Sequence, residues 1–289
     1  MIPYGFTYHA PETLDGVLSA LAADPDGTAL LAGGSWVVPG LGRGERTARQ
    51  VVDLRRAGLS GIHATDGADG TVVRLGACVT YADILSSAVL AERAPVLGQM
   101  AAGVTGGPQI VGRATVGGSV VAARPGSDAP CALALLDTTA EIAGPAGART
   151  IQLTDLWADA FTTTLAPDEV LVAFEFTAPP AGTGSAYVKV KHSTGSWPIV
   201  TAAATVRLDA AGRCERAALV IGGACATPFH LPLDGGAIHE DALRDTLSAA
   251  WEDELAPASY RAAVAPAAAR RALTQACADA ALRRDQEPQ

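Results

Sequence analysis

Two glycine–serine segments, far apart in the chain, constrain its fold more than any other feature. Residues 32–35 read Ala-Gly-Gly-Ser and residues 115–119 read Thr-Val-Gly-Gly-Ser, and each segment follows a short apolar run. Both segments lack bulky side chains at points where the main chain could approach a bound anion. Consecutive main-chain N–H groups in such a turn hold phosphate oxygens without needing a lysine. Two such segments predict a ligand with two phosphates, for which a nucleotide cofactor is the natural candidate.

The composition excludes several other classes of protein. The chain has 289 residues, of which 49% are hydrophobic, so it is long enough for two domains. Its net charge of -9 and its lack of a Lys/Arg cluster argue against a nucleic-acid surface. The five scattered cysteines form no CxxC pair and predict neither a zinc site nor an iron–sulfur cluster. We expect a cytoplasmic protein with reduced thiols and no membrane span.

The pattern of apolar residues predicts an α+β chain. A helix over 11–24 and strands over 29–32 and 50–54 predict a small β-α-β lobe that ends at about residue 56. A larger lobe of mixed α and β follows at 57–177, and the two lobes form a first domain of residues 1–177. The main elements that we predict in the larger lobe are strands over 72–77, 139–143 and 170–177 and helices over 95–104 and 129–136.

A second domain follows a run of helix- and strand-breaking residues at 178–184. It spans residues 185–289. The pattern predicts three strands and then alanine-rich helices, which cover residues 186–191, 200–208, 217–221, 240–251 and 257–284.

Neither glycine segment is a G-x-G-x-x-G turn or a P-loop, but both resemble segments of one flavoprotein family. Residues 32–42, AGGSWVVPGLG, resemble the AGG loop of the flavin-binding subunits of molybdenum hydroxylases. Residues 109–128, QIVGRATVGGSVVAARPGSD, resemble the family's Q-I-R-N-x-A-T-I-G-G-N-x-x-x-A-x-P-x-x-D segment. Residues 75–84, 101–110 and 185–209 match the family in the same order. The chain is thus similar, over nearly its whole length, to the medium-subunit family of carbon monoxide dehydrogenase and the FAD domain of xanthine dehydrogenase.

The resemblance implies a fold, a cofactor and a set of binding residues. The fold would be a vanillyl-alcohol-oxidase (PCMH) type FAD-binding domain, followed by a C-terminal domain with a three-stranded antiparallel sheet and helices. The two glycine segments would bind the FAD pyrophosphate from both sides. Gly117 and Gly118 would have no side chains that block the approach of the phosphates. No side chain is expected to act as an acid, a base or a metal ligand. The cofactor-binding residues implied are Leu31, Ala32, Gly33, Gly34, Ser35, Trp36, Thr115, Val116, Gly117, Gly118, Ser119, Ala122, Asp128, Leu171 and Lys189.

Several of these residues have a structural interpretation beside the functional one. By resemblance, Asp128 accepts hydrogen bonds from ribityl or ribose hydroxyls, but it could equally cap the helix over 129–136. Lys189 could approach the isoalloxazine ring or be a solvated charge on a strand. Trp36 could pack on the flavin or only close the small lobe. Leu171 falls where the family packs an aliphatic residue near the flavin ring.

The function implied is that of one subunit in a larger dehydrogenase. In the family, a molybdopterin-containing large subunit hydroxylates the substrate and a 2Fe-2S small subunit relays electrons to FAD. FAD then passes them to a soluble acceptor such as NAD, a quinone or oxygen. Residues 109–113 and Ser119 depart from the family pattern, so a stand-alone flavoenzyme that oxidises a small organic substrate stays open. A scaffold that has lost the cofactor is the other alternative, and the intact glycines argue against it.

Overall fold

The N-terminal lobe is built on a small parallel sheet. The computed structural model describes residues 2–285, and the elements of this lobe are β1 (Thr7–His9), α1 (Leu14–Ala23), β2 (Thr28–Leu31), α2 (Val37–Arg43) and β3 (Gln50–Asp53). Strand β3 lies in the middle and pairs in parallel with β1 and β2. The sequence predicts α1, β2 and β3. Helix α1 begins at Leu14 and not at Pro11, because the Thr13 hydroxyl accepts the Gly16 N–H and caps it.

The larger lobe is a five-stranded antiparallel sheet with helices packed against it. The sheet order is β4-β5-β10-β6-β7. Its elements are β4 (Ile62–Gly67), β5 (Gly70–Gly76), α3 (Tyr81–Ser86), α4 (Ala88–Arg93), α5 (Pro95–Ala102), α6 (Gly107–Val111), α7 (Val116–Val121), α8 (Asp128–Leu135), β6 (Thr139–Gly144), β7 (Gly147–Gln152), a 3-10 turn (Leu153–Leu156), β8 (Trp157–Asp159), β9 (Thr162–Thr163) and β10 (Val170–Thr177).

The C-terminal part adds a second antiparallel sheet. Its elements are β11 (Gly184–Val190), β12 (Val200–Leu208), β13 (Cys214–Gly222), β14 (Phe229–His230), β15 (Leu233–Asp234), β16 (Ala237–Ile238), α9 (Glu240–Leu247) and α10 (Ala258–Arg284). The sheet order is β11-β12-β13-β14. The expected three-stranded sheet therefore has a fourth strand, which the sequence does not reveal because its two residues are too short for a readable alternation. These strands and helices agree with an α+β content for the whole chain.

The C-terminal sheet is covered on both faces, which explains its apolar sequence. Ala202 and Ala204 of β12 belong to a core shared with α10, where the alanines at 269, 272 and 276 are also buried. Ala203, which points to the opposite face, belongs to the core of the larger lobe that includes Leu133 of α8. The hydrophobic core therefore continues from the larger lobe into the C-terminal part.

The backbone of the C-terminal part also contacts the backbone of the larger lobe directly. A Cβ atom added at Gly126 would lie 2.6 Å from the Pro198 carbonyl oxygen. A Cβ atom at Gly223 would lie 3.5 Å from the Pro125 carbonyl oxygen of the larger lobe and 2.7 Å from the Ile199 carbonyl oxygen of the C-terminal part, and Gly223 also has a left-handed φ of 74°. Only glycine allows these approaches. The segment that contains residues 197–199 is thus fixed tightly beside residues 124–127.

Candidate functional site

Both glycine segments line a single cavity of about 640 Å³. The small lobe, the larger lobe and the loop after β11 all contribute to its wall. The structure brings most of the expected residues to this cavity, namely Ala32, Gly33, Gly34, Ser35, Trp36, Thr115, Gly117, Gly118, Ser119, Ala122, Asp128 and Leu171. The expected residues that lie outside its lining are Leu31, Val116 and Lys189. Val116 is fully buried in the hydrophobic core, and Leu31 ends strand β2.

The first glycine segment is an open turn between β2 and α2. Gly34 has a left-handed φ of 75°, which favours glycine. A Cβ atom at Gly33 would lie 2.0 Å from the Arg113 carbonyl oxygen, so glycine here lets the two segments touch. Within residues 2–285, the main-chain N–H groups of residues 33–36 donate to no protein acceptor. Four consecutive amides are therefore available to an anion in the cavity.

The second glycine segment differs from the open turn that the sequence predicts. Residues 116–119 form the first turn of α7, and Thr115 is its N-cap. The N–H groups of Val116, Gly117 and Gly118 donate to Val79 O, Ala77 O and Thr115 Oγ1, at 3.0, 2.9 and 3.1 Å. The Ser119 N–H donates to Thr115 O at 3.0 Å. The expectation of a second free amide array is therefore wrong.

The glycines of this second segment serve packing. A Cβ atom at Gly117 would lie 2.5 Å from Ala77 O, and one at Gly118 would lie 2.9 Å from Thr115 Oγ1. The absence of a side chain at Gly117 thus makes room for the strand-to-helix connection before α3. The polar group that this segment presents is the Ser119 hydroxyl, which lies 2.7 Å from the Tyr81 hydroxyl.

Asp128 is the centre of a buried polar cluster behind the cavity wall. Its carboxylate accepts the Tyr187 hydroxyl at 2.8 Å and the Lys189 Nζ at 3.0 Å, and Lys189 also donates to Gly103 O. The side chains of Asp128 and Lys189 are only 5% and 8% exposed. Ser127 holds the N-cap position of α8, and within residues 2–285 the Asp128 carboxylate accepts from no main-chain N–H. The capping interpretation of Asp128 and the solvated interpretation of Lys189 are therefore both wrong.

The buried environment of Asp128 and Lys189 disfavours the charged form of both side chains. Burial raises the pKa of the Asp128 carboxyl, and the attraction of Lys189 only partly opposes this rise. Burial likewise lowers the pKa of the Lys189 ammonium group. Lys189 reaches the cavity only through Asp128, whose carboxylate has lone pairs left for a ligand hydroxyl.

An aromatic cluster with an arginine forms one side of the cavity mouth. The Arg124 guanidinium carbon lies 4.5 Å from the ring centroid of Trp197 and 5.8 Å from that of Trp36. Trp36 stacks on Phe161, with 6.4 Å between ring centroids. Trp197 is 43% exposed. Trp36 thus lines the cavity and also packs on the larger lobe, so both of its expected interpretations remain compatible with its position.

The sequence did not single out several lining residues, among them Cys78, Tyr81, Arg124 and Trp197. They lie inside or beside the matched segments, but their side chains meet only in the folded chain. Burial raises the pKa of the Cys78 thiol to about 11, so it is a neutral thiol at the cavity wall.

Among residues 2–285, no cluster of three or more His, Cys, Asp or Glu side chains could hold a metal ion. No helix of this part of the chain is long and apolar enough to cross a membrane.

Comparisons with known proteins agree with this geometry. Residues 4–179 match the model of the FAD binding domain in molybdopterin dehydrogenase. The chain is 32% identical over 273 residues to the carbon monoxide dehydrogenase medium chain of Afipia carboxidovorans, covering 90% of this chain and 93% of that one. It is 30% identical to 6-hydroxypseudooxynicotine dehydrogenase complex subunit alpha of Paenarthrobacter nicotinovorans, covering 78% of this chain and 75% of that one.

A solved structure shows the same fold. Reconstituted CO dehydrogenase from Oligotropha carboxidovorans contains a chain that superimposes with a TM-score of 0.87 at 30% identity, covering 96% of this chain and 100% of that one. The resemblance on which the sequence prediction rests is therefore confirmed. The chain belongs to the family of FAD-binding domains of molybdopterin dehydrogenases.

Proposed function

We propose that this chain is the FAD-binding subunit of a molybdenum hydroxylase-type dehydrogenase. It receives electrons from the iron–sulfur clusters of a 2Fe-2S small subunit, after a molybdopterin-containing large subunit has oxidised the substrate. The electrons leave for a soluble acceptor. The observation that carries this proposal is the cavity that the two family-matched glycine segments line together. Relatives named as medium chains or FAD-binding subunits of dehydrogenases support the same function.

The residues of the cavity suit FAD. The free amides of residues 33–36 would hold the diphosphate. Asp128 would accept hydrogen bonds from cofactor hydroxyls, and Leu171 would provide an apolar wall. When bound, FAD supplies the conversion between one-electron and two-electron transfer. The chain itself binds and orients the cofactor.

We also propose the finer division of the fold. The FAD-binding domain, of vanillyl-alcohol-oxidase type, would span residues 1–177 with lobes of about 1–56 and 57–177, and a C-terminal flavoprotein domain would span 185–289. The separate β1–β3, β4–β10 and β11–β14 sheets support these boundaries. A cytoplasmic location is part of this proposal, and the free cysteines suit a reducing compartment.

The amide array of the first segment provides the test of FAD binding. We expect the purified chain to retain stoichiometric FAD after gel filtration. Gly33→Ala should lose it, because the new Cβ would meet the Arg113 carbonyl oxygen and displace the segment. Absorbance near the flavin maximum measures FAD per chain, and far-UV circular dichroism shows whether the variant is folded.

Gly42→Ala is the matched control, because nothing lies within 4 Å of its added Cβ. It should keep FAD. A colourless wild-type chain that cannot be reconstituted would overturn the FAD assignment. Reduction of the bound flavin by a small organic substrate alone would instead favour the stand-alone flavoenzyme.

A further inference from the structure

We propose that Arg124 is an anion-binding residue at the mouth of the FAD cavity, where it holds a phosphate or similar oxyanion oxygen. The inference rests on the proposed FAD-binding function and adds to it a charged group that the family match does not single out. Arg124 follows α7 and lies among the residues that line the cavity.

The first argument is that the donors of Arg124 are unused. Within residues 2–285, its guanidinium makes no hydrogen bond and no ion pair, although it is half-buried. Arg43 and Arg55 each pair with a carboxylate, whereas Arg46, another arginine of the cavity lining, resembles Arg124 in having no such partner within residues 2–285. An arginine carries five N–H donors in a planar fork that matches phosphate geometry. Because Arg124 is only half-buried, its donors stay open to solvent, and a ligand oxygen can take the place of water there.

The second argument is how the fork is held. Trp36 and Trp197 stand with their rings 5.8 and 4.5 Å from the guanidinium carbon. Stacking on aromatic rings stabilises the cation and leaves the N–H groups at its edge free. The arrangement therefore fixes an arginine whose donor edge is available at the cavity.

The third argument concerns charge. Burial lowers the pKa of Arg124, but its ordinary value is so high that the group stays charged at neutral pH. Asp253 and Glu254 are the acidic groups that act on it from a distance. Asp253 is not its direct partner: the Asp253 carboxylate pairs with the guanidinium of Arg261 instead. Within residues 2–285, Arg124 thus has no carboxylate in ion-pair contact, although the net charge of the chain is -9.

Two molecules could bring the oxyanion to this residue. One is FAD, whose diphosphate meets free amides only in the first glycine segment, since those of the second are bonded to protein. The other is an anionic electron acceptor that enters through the mouth, where Trp197 is 43% exposed. The chemistry at Arg124 is the same in both cases, and the following experiment distinguishes them.

The test compares Arg124→Gln with wild type in two arms. The first arm measures dissociation constants of FAD and of riboflavin, which lacks phosphate, with the apoprotein. The second arm measures anaerobic reoxidation of the dithionite-reduced, FAD-saturated protein by 1,4-naphthoquinone-2-sulfonate and by neutral 1,4-naphthoquinone. In that reaction each quinone takes two electrons and two protons from the reduced flavin and becomes a hydroquinone.

For one of the two anionic probes we expect Arg124→Gln to weaken FAD binding, or to slow reoxidation by the sulfonated quinone, by about tenfold or more. Removal of a charged hydrogen-bond partner predicts a loss of this size. A lower affinity for FAD but not for riboflavin assigns the oxyanion to the cofactor. A slower reoxidation by the sulfonated but not by the neutral quinone assigns it to the acceptor. Arg124→Lys, which keeps the charge without the planar fork, should recover part of the loss.

Arg216→Gln is the control, because Arg216 is exposed on β13 and does not line the cavity. It should match wild type in both arms. Equal effects of Arg124→Gln on charged and neutral probes, or no effect on any, would overturn the anion-binding role while leaving FAD binding intact. A wild-type chain that binds neither FAD nor riboflavin would overturn the proposed function and this inference with it.

Discussion

The buried pair of Asp128 and Lys189 joins two parts of the chain that are distant in sequence. Asp128 begins α8 in the larger lobe, and Lys189 lies on β11 of the C-terminal part. Each charge has lost nearly all of its water, and the two are held together at 3.0 Å. Removing one partner of such a pair leaves an uncompensated charge, which costs far more than the pair itself contributes.

We therefore predict that Lys189→Met destabilises the protein by about 3–5 kcal/mol at neutral pH. Burial already raises the pKa of Asp128 with Lys189 present, and loss of the ammonium group raises it further. The folded state then binds a proton that the unfolded state releases above its ordinary pKa of about 4. Stability of the variant should consequently fall as pH rises above about 4. Urea unfolding at several pH values measures this slope.

The double variant Asp128→Asn/Lys189→Met is the control for this effect. It removes both charges, so it should be more stable at neutral pH than Lys189→Met and should lack the added pH slope. If Lys189→Met unfolded with the same pH dependence as the double variant, the pair would not be a coupled buried pair.

At the scale of elements, a buried arginine ties the last helix to the sheet. Arg261 of α10 is 1% exposed. Its guanidinium donates to the Ile199 and Gly223 carbonyl oxygens, at the start of β12 and the end of β13, and it pairs with Asp253. Three separate segments therefore depend on one side chain. Trp197, on the cavity wall, lies only two residues before Ile199.

We predict that Arg261→Met lowers the free energy of unfolding by about 3 kcal/mol or more, because two carbonyl groups and a carboxylate lose their donor. Urea unfolding followed by tryptophan fluorescence measures the change. Arg271→Met, an exposed position on the same helix, should change stability by less than about 0.5 kcal/mol. Equal stability of the two variants would contradict the role of Arg261 as a clamp.

The elements that could be predicted from the sequence are those that are long and typical in composition. Strand β10 is an eight-residue run rich in valine and phenylalanine, and helix α10 is a 27-residue run rich in alanine. Strands β4 and β7 were missed because most of their residues are exposed and so show no apolar alternation. Helix α7 was predicted as a turn, because two adjacent glycines disfavour a helix unless tertiary contacts hold it. Those contacts are the hydrogen bonds to Ala77 and Val79.

The site could be predicted only to the extent that its residues are adjacent in sequence. The glycine segments and Asp128 belong to continuous matched stretches, and the structure places them at one cavity. Arg124 becomes a candidate only because the folded chain places it close to the rings of Trp36 and Trp197. Spacing along the chain carries no signal for such a cluster.

At the scale of the whole molecule, the cavity depends on every part of the chain. Its wall includes Gly33 of the small lobe, Asp128 of the larger lobe and Trp197 of the C-terminal part. The core also continues between the last two of these parts. A ligand in this cavity therefore binds the folded state as a whole.

We predict that FAD raises the free energy of unfolding of the entire chain in one transition. Linkage gives about 2.7 kcal/mol when free FAD is one hundred times its dissociation constant. Thermal unfolding at increasing FAD concentration should show a rising midpoint with all probes coincident. Separate transitions, of which FAD shifts only one, would mean that the parts unfold independently.

The glycine contacts between residues 124–127 and 197–199 also bear on the lifetime of the loaded protein. At Gly126 the two strips of backbone touch directly, so this contact cannot be opened by rotation of side chains alone. Release of a nucleotide as large as FAD would require whole segments to separate. The rate at which such a protein loses its yellow FAD would be set by the rate of that separation. Dilution would hardly change this rate.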